Sequence, residues 1–130
     1  MPTRDEIISA LKRIVVPELR RRGFAGSFPH FRRIGATQID LLTFQFDKWG
    51  GGFVAELSKC GPEGVTLPWG AKIPPGKVTA RDLHPGDRIR LGSEGPGADH
   101  WYRYDGIDPP ESAARAVLKD LDAAKRWWEG

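Results

Sequence analysis

Thr37 to Cys60, TQIDLLTFQFDKWGGGFVAELSKC, reads as two β-strands joined by a glycine-rich turn. In the first strand Leu42, Phe44 and Phe46 alternate with Thr43, Gln45 and Asp47, the period of two that separates the faces of a pleated strand. After Gly50-Gly51-Gly52, Phe53, Ala55 and Leu57 alternate with Val54, Glu56 and Ser58. Pairing Phe46 with Phe53 brings Phe44 to Ala55 and Leu42 to Leu57, so that all six apolar side chains share the core side. The same register sets Thr43 beside Glu56 and Gln45 beside Val54 on the back of the hairpin.

On the N-terminal side, Thr3-Arg4-Asp5-Glu6 has the form of a capping box and predicts a helix start. Ile7, Ile8, Leu11, Ile14, Val15 and Leu19 form one apolar stripe that stays in phase across Pro17, which predicts one kinked helix. Gly23 followed by Phe24 suits a Schellman stop, with Phe24 packed on Leu19 and Arg20, Arg21 and Arg22 at the negative end of the helix dipole. Phe28 to Ile34 is a short strand whose Pro29 argues for an edge position or a strand start, turned into the central hairpin by Gly35-Ala36.

Past the hairpin, Gly61 to Asp87 is dense in proline and glycine and holds no sustained period; it reads as a long loop with at most a helical turn at Thr79 to Leu83. Arg88 to Leu91 and His100 to Tyr104 supply a fourth and fifth strand. Asp108 as N-cap, Pro109 in the first position and Glu111 in the third predict a closing helix. Its face carries Ala114, Val117, Leu118, Leu121, Ala124 and Trp128, with Trp127 at the rim. The expected fold over residues 1–130 is a single α+β two-layer sandwich. An antiparallel sheet of four to five strands carries the N- and C-terminal helices on one face, because only that face looks apolar enough to be covered.

At 130 residues the chain is sized for one core. No run approaches a membrane span and no secretory signal is legible, so residence in the cytoplasm is the default expectation. Cys60 is the only cysteine, which rules out an intrachain disulfide and a polycysteine zinc site. The net charge is +3, yet Met1 to Arg33 holds eight Lys/Arg against three Asp/Glu, so the basic character belongs to one end.

The order of several short stretches resembles a bacterial family of domains of unknown function, number 4304. The resemblance rests on LRRRGF at Leu19 to Phe24, Phe31-Arg32, TFQFDKW at Thr43 to Trp49, the Phe53 to Leu57 strand, and Arg88 to Gly92 followed by Asp99-His100-Trp101. It implies a small α+β domain and supplies no activity. Some similar small domains act beside toxins as immunity proteins, an analogy of fold only.

No catalytic or cofactor motif is present. His30, His84 and His100 have no metal-site spacing, Cys60 has no nucleophile signature, and the glycine clusters lack the strand and helix context of a phosphate loop. The best candidate site is the back of the sheet: Arg32 with Thr43, Gln45 and Glu56, joined by Arg88 and Arg90. Guanidinium forks beside an amide and a carboxylate suit an acidic side chain or a phosphate, whereas a solvated face with cross-strand ion pairs is the simpler reading. Trp69, between Pro68 and Gly70, either packs back to pin the loop, the favoured expectation, or projects as an interface anchor. The leading functional expectation is therefore a non-catalytic domain that binds a protein partner, in an immunity or inhibitor-like role, through the polar face and the 61–87 loop. The alternatives are nucleic-acid binding by Arg20, Arg21, Arg22 and Arg33, and an enzyme using Arg32, Gln45, Glu56 and Arg90 on a small acidic substrate. No cofactor, metal or membrane partner is expected.

Overall fold

A computed structural model describes residues 2–130. Helix α1 (Arg4–Ile14) begins with the capping box: Glu6 N–H donates to Thr3 Oγ1 at 3.2 Å and Thr3 N–H to Glu6 Oε1 at 3.0 Å. The expected kink is a break at Val15, after which α2 (Val16–Arg21) continues with Pro17 in its first turn. Proline there has no N–H to give the carbonyl of Arg13, so the chain separates into two segments rather than bending as one. The stripe nevertheless keeps phase, and Ile7, Leu11, Val15 and Leu19 are all fully buried. The Schellman stop is complete: Phe24 N–H donates to Leu19 O, Gly23 N–H donates to Arg20 O, and Gly23 takes φ +95°.

The strands follow as β1 (His30–Ile34), β2 (Ile39–Phe46), β3 (Gly52–Cys60), β4 (Val65–Thr66), β5 (Lys72–Ile73), β6 (Ile89–Arg90) and β7 (Tyr102–Arg103), with α3 (Pro110–Glu129) last. In the main antiparallel sheet β1 pairs β2, β2 pairs β3, and β6 and β7 share the free edge of β3 at Glu56–Leu57 and Gly52–Phe53. Phe46 pairs with Phe53, Phe44 with Ala55, Leu42 with Leu57, Thr43 with Glu56 and Gln45 with Val54. Every pair of the expected register is present.

The front of the sheet is an aromatic core. Phe28 stacks on Phe44 at 5.3 Å, Phe44 meets Phe53 edge to face at 6.0 Å, and Phe53 stacks on Tyr102 at 5.3 Å. Helices α1 and α3 cover it, with Ala114, Val117, Leu121, Ala124 and Trp128 buried. The indole of Trp128 donates to Ser58 O at 3.0 Å and lies 5.1 Å from Phe24, while Trp127 sits half-buried under Lys59. Helix α3 starts one residue later than the Asp108 signal implies: Pro109 is the N-cap and Pro110 takes the first position. Either proline fits a first turn, because the N–H it lacks is unused there.

The back of the sheet departs from expectation, since it too is covered. Ile39 and Leu41 on β2 pack with Val78 and Ala80 in a second small core, flanked by Cys60, Val65, Ile73 and Leu83. The 61–87 segment is therefore not structureless. It holds the β4–β5 hairpin and two single 3-10 turns, Ala80–Asp82 and Pro85–Asp87, the first closed by Thr79 N–H donating to Asp82 Oδ2 at 2.8 Å. Two-layer packing of helices on sheet stands, with an ordered loop over the opposite face.

Candidate functional site

The site residues on the back face divide between holding the loop and lining what the loop leaves open. Arg32 and His30 project to the same side as Thr43, as the β1–β2 register His30↔Thr43 requires. The guanidinium of Arg32 is engaged within the chain: its Nε donates to Val78 O at 3.0 Å. Arg88 acts in the same way, donating from Nε to Leu83 O at 2.9 Å and from Nη2 to Arg81 O at 2.7 Å. Ser58 Oγ donates to Asp87 O at 2.9 Å. These donors meet carbonyls that a loop, unlike a helix, cannot satisfy internally. His30 Nδ1 lies 3.0 Å from Thr43 Oγ1, and burial, with Arg32 and Arg81 nearby, pushes its imidazole below the usual pKa.

Glu56, Arg88 and Arg90 do come together, around a cleft of about 340 Å³ bordered by Pro85, Gly97 and Asp99. Glu56 is only 7% exposed, and its Oε1 stands 3.5 Å from Arg90 Nε. Arg90 also donates from Nη1 to Asp99 and lies over the Trp101 ring at 5.3 Å, whose indole N–H donates to Asp99 at 3.2 Å. Against the cost of desolvation, the Trp101 N–H and the Arg90 charge hold Asp99 below the usual carboxylate range. Gln45 stands apart from this cluster, half-buried opposite Val54 and without a hydrogen bond to any of its members.

Trp69 does not pack back. It sits at the tip of the β4–β5 hairpin, 76% exposed, where Leu67 N–H donates to Ala71 O at 2.8 Å and Gly70 N–H to Leu67 O at 2.9 Å. Gly70 has φ +90°, a conformation that closes the turn and aligns few side chains but glycine's hydrogen with it. The tip residues Pro68 to Lys72 are all exposed.

The basic cluster at the end of α2 is engaged within the chain. Arg20 donates to Gly26 O at 2.6 Å and lies over Phe31; Arg21 pairs with Glu18; Arg22 bridges Glu18 at 2.7 Å and Asp122 at 2.9 Å. The two arginines hold the Glu18 carboxyl down at about 2. Arg33 pairs with Asp40 at 2.7 Å and covers the Phe24 ring at 4.8 Å. Cys60 is half-buried and its thiol is pushed up by burial. His84 accepts from Gly86 N–H at 2.9 Å, and the His100 ring stands edge-on to Tyr102. Among the described residues no three His, Cys, Asp or Glu side chains group as metal ligands, and no helix is long and apolar enough to cross a membrane.

Sequence reasoning missed Asp99 and Trp101 as the partners of Arg90. The available signal was the opposite charge and indole next after the Arg88 to Leu91 strand, but the glycine-rich Gly92 to Gly97 turn hides how far the chain returns. What emerges is a small α+β domain whose sheet is sealed on one face by helices and on the other by an arginine-pinned loop bearing an exposed tryptophan. The chain belongs to the domain of unknown function DUF4304, whose sequence pattern matches residues 15–130. No curated protein and no solved structure matches it.

Proposed function

We propose that this is a non-catalytic protein-binding domain whose partner meets the loop-covered side of the sheet, with Trp69 as its anchor. The observation that carries the reading is a tryptophan left 76% exposed on a hairpin whose base is fixed to the sheet. Buried interface tryptophans dominate binding energies, and a rigid mount lowers the entropy lost on association. Lys72 is exposed at the same hairpin tip, which favours an apolar pocket with a carboxylate at its rim as the partner surface. An immunity or inhibitor-like role in a bacterial cytoplasm is the form this takes; the single cysteine suits a reducing compartment.

The competing readings have less support. Nucleic-acid binding through Arg20, Arg21, Arg22 and Arg33 would have to break intramolecular pairs, and of Arg32, Gln45, Glu56 and Arg90 only Glu56 and Arg90 meet. Capture of partners from cells of the source organism, with wild-type protein beside Trp69→Ser, tests the proposal. One specific protein should be retained by wild type and bound by the variant about 30-fold more weakly or worse, the loss of a hot-spot side chain. Equal retention by both, or salt-sensitive retention of nucleic acid alone, would overturn it.

A further inference from the structure

Strand β7 is the outermost strand on its part of the sheet edge. Its register is Phe53↔Tyr102 and Gly52↔Arg103, and Tyr104 N–H donates to Gly51 O at 3.0 Å. In an antiparallel pair the residues that face the partner alternate with those that face away. Tyr102 and Tyr104 turn their backbone groups toward β3, so Trp101 and Arg103 turn theirs outward. Neither of those two makes a backbone hydrogen bond to any described residue beyond the β3–β7 pair. An open row of strand donors and acceptors is a template for another strand.

The space in front of that row is shaped to receive one. A groove of about 550 Å³ lies between residues 100–106 and the first half of α3, which contributes Ser112, Ala113, Ala116 and Lys119. Small side chains on the helix wall leave width for a chain to lie there. From Pro109 to Asp120 the helix wall runs about 16 Å at 1.5 Å per residue, the length of about five residues of strand. Tyr102 Oη donates to Asp120 Oδ2 at 2.6 Å and so ties strand to helix beneath the groove. Two large apolar side chains project nearby: Ile107 is fully exposed, and Trp49 is 85% exposed on the turn whose Gly51 abuts Arg103 and Asp105.

We propose that this groove binds an extended segment of a partner protein, which adds to β7 as a further strand. The row of outward backbone groups specifies a peptide backbone as the occupant, because its donors and acceptors repeat at the two-residue spacing of a strand. Alternate side chains of the segment lie over Ala113 and Ala116 and are small or apolar. This surface is separate from the Trp69 hairpin, and neither proposal depends on the other.

The test uses the whole chain and a display library of random decapeptides, with the selected peptides synthesised. Arg103→Pro removes the outward N–H but no hydrogen bond to β3, a change that edge strands accept; Arg103→Ala removes the side chain and keeps the N–H. Arg103→Pro should bind the selected peptides about tenfold more weakly than Arg103→Ala, because the two variants share the loss of the side chain and differ in the backbone N–H. Ala116→Trp, at an exposed helix position, fills the groove while leaving the backbone of β7 unchanged and should abolish binding, which decides the matter where Arg103→Pro fails to fold. Hydrogen exchange at Trp101 and Arg103 should slow in the complex. Failure to select any peptide, peptides that bind Ala116→Trp unchanged, or a dimer that forms through β7 in their place would overturn the proposal. No partner captured through Trp69 enters this assay, so its failure leaves the hairpin reading intact.

Discussion

The two faces of the β2–β3 hairpin are sealed by different physics. On the front, Phe44, Phe53 and Tyr102 interlock beneath helices that satisfy their own backbones, so the contact is almost wholly apolar. On the back, a proline-rich loop lies over Ile39 and Leu41 and brings unpaired carbonyls with it. Side chains on the sheet and at its border answer with donors: Arg32 to Val78 O, Arg88 to Leu83 O and Arg81 O, Ser58 to Asp87 O. Much of the polarity that marks this face as a candidate ligand site is therefore the chemistry of holding a loop. A polar strand face is evidence of a site only once the backbone above it has been accounted for.

The comparison breaks most sharply under core truncation. Phe53→Ala removes the ring that joins Phe44, Phe46 and Tyr102 and should cost about 4 kcal/mol. Leu41→Ala, equally buried but in the small second core, should cost about 2 kcal/mol, near the low end for such changes, because a loop collapses onto a cavity more easily than two helices do. Midpoints of urea unfolding measure both. Equal losses would mean that the loop packs as rigidly as the helices.

A finer test separates the clamp from the core it closes. Arg32→Ala removes the donor to Val78 O while leaving every front-face contact in place, and should cost about 1.5 kcal/mol. Its signature is local: amide exchange should quicken over residues 77–83 and stay unchanged in β3. Uniform acceleration across the sheet would show that the loop and the sheet open together.

The front half of this comparison was legible in the sequence and the back half was not. The alternation of Leu42, Phe44 and Phe46 against Phe53, Ala55 and Leu57 has only one pairing that buries all six, and that pairing is present. Thr3, Gly23 and Phe24 carry stereochemical signals that act within a few residues, and they too read correctly. The loop's packing depends on Val78, Ala80 and Leu83 meeting Ile39 and Leu41, residues about 40 positions away with no period to announce the contact. Ile39 and Leu41 continue the odd positions of Thr43 and Gln45, so the back of β2 is apolar at one end and polar at the other. Read at its polar end alone, the face looks solvated. For the same reason Arg32 and Arg88 look free in the sequence, since a carbonyl partner leaves no trace in residue type.

The smallest expected effect distinguishes the faces by pH. The front has His100 at its margin, edge-on to Tyr102, whereas the back holds His30 against Thr43, with Arg32, Arg81 and Asp82 around it. Burial and then the two arginines lower its pKa, and Asp82 opposes them. The unfolded chain therefore takes up the proton at a higher pH than the folded one. Stability is fully present above the ordinary imidazole value of about 6.5 and declines as pH falls through the lower folded value. Urea midpoints at about pH 7.5 and about pH 5.5 should fall more for wild type than for His30→Asn, and exchange over 77–83 should quicken before exchange in β3 does. Parallel pH dependence in the two proteins would place the titrating group elsewhere and leave the two faces alike in this respect.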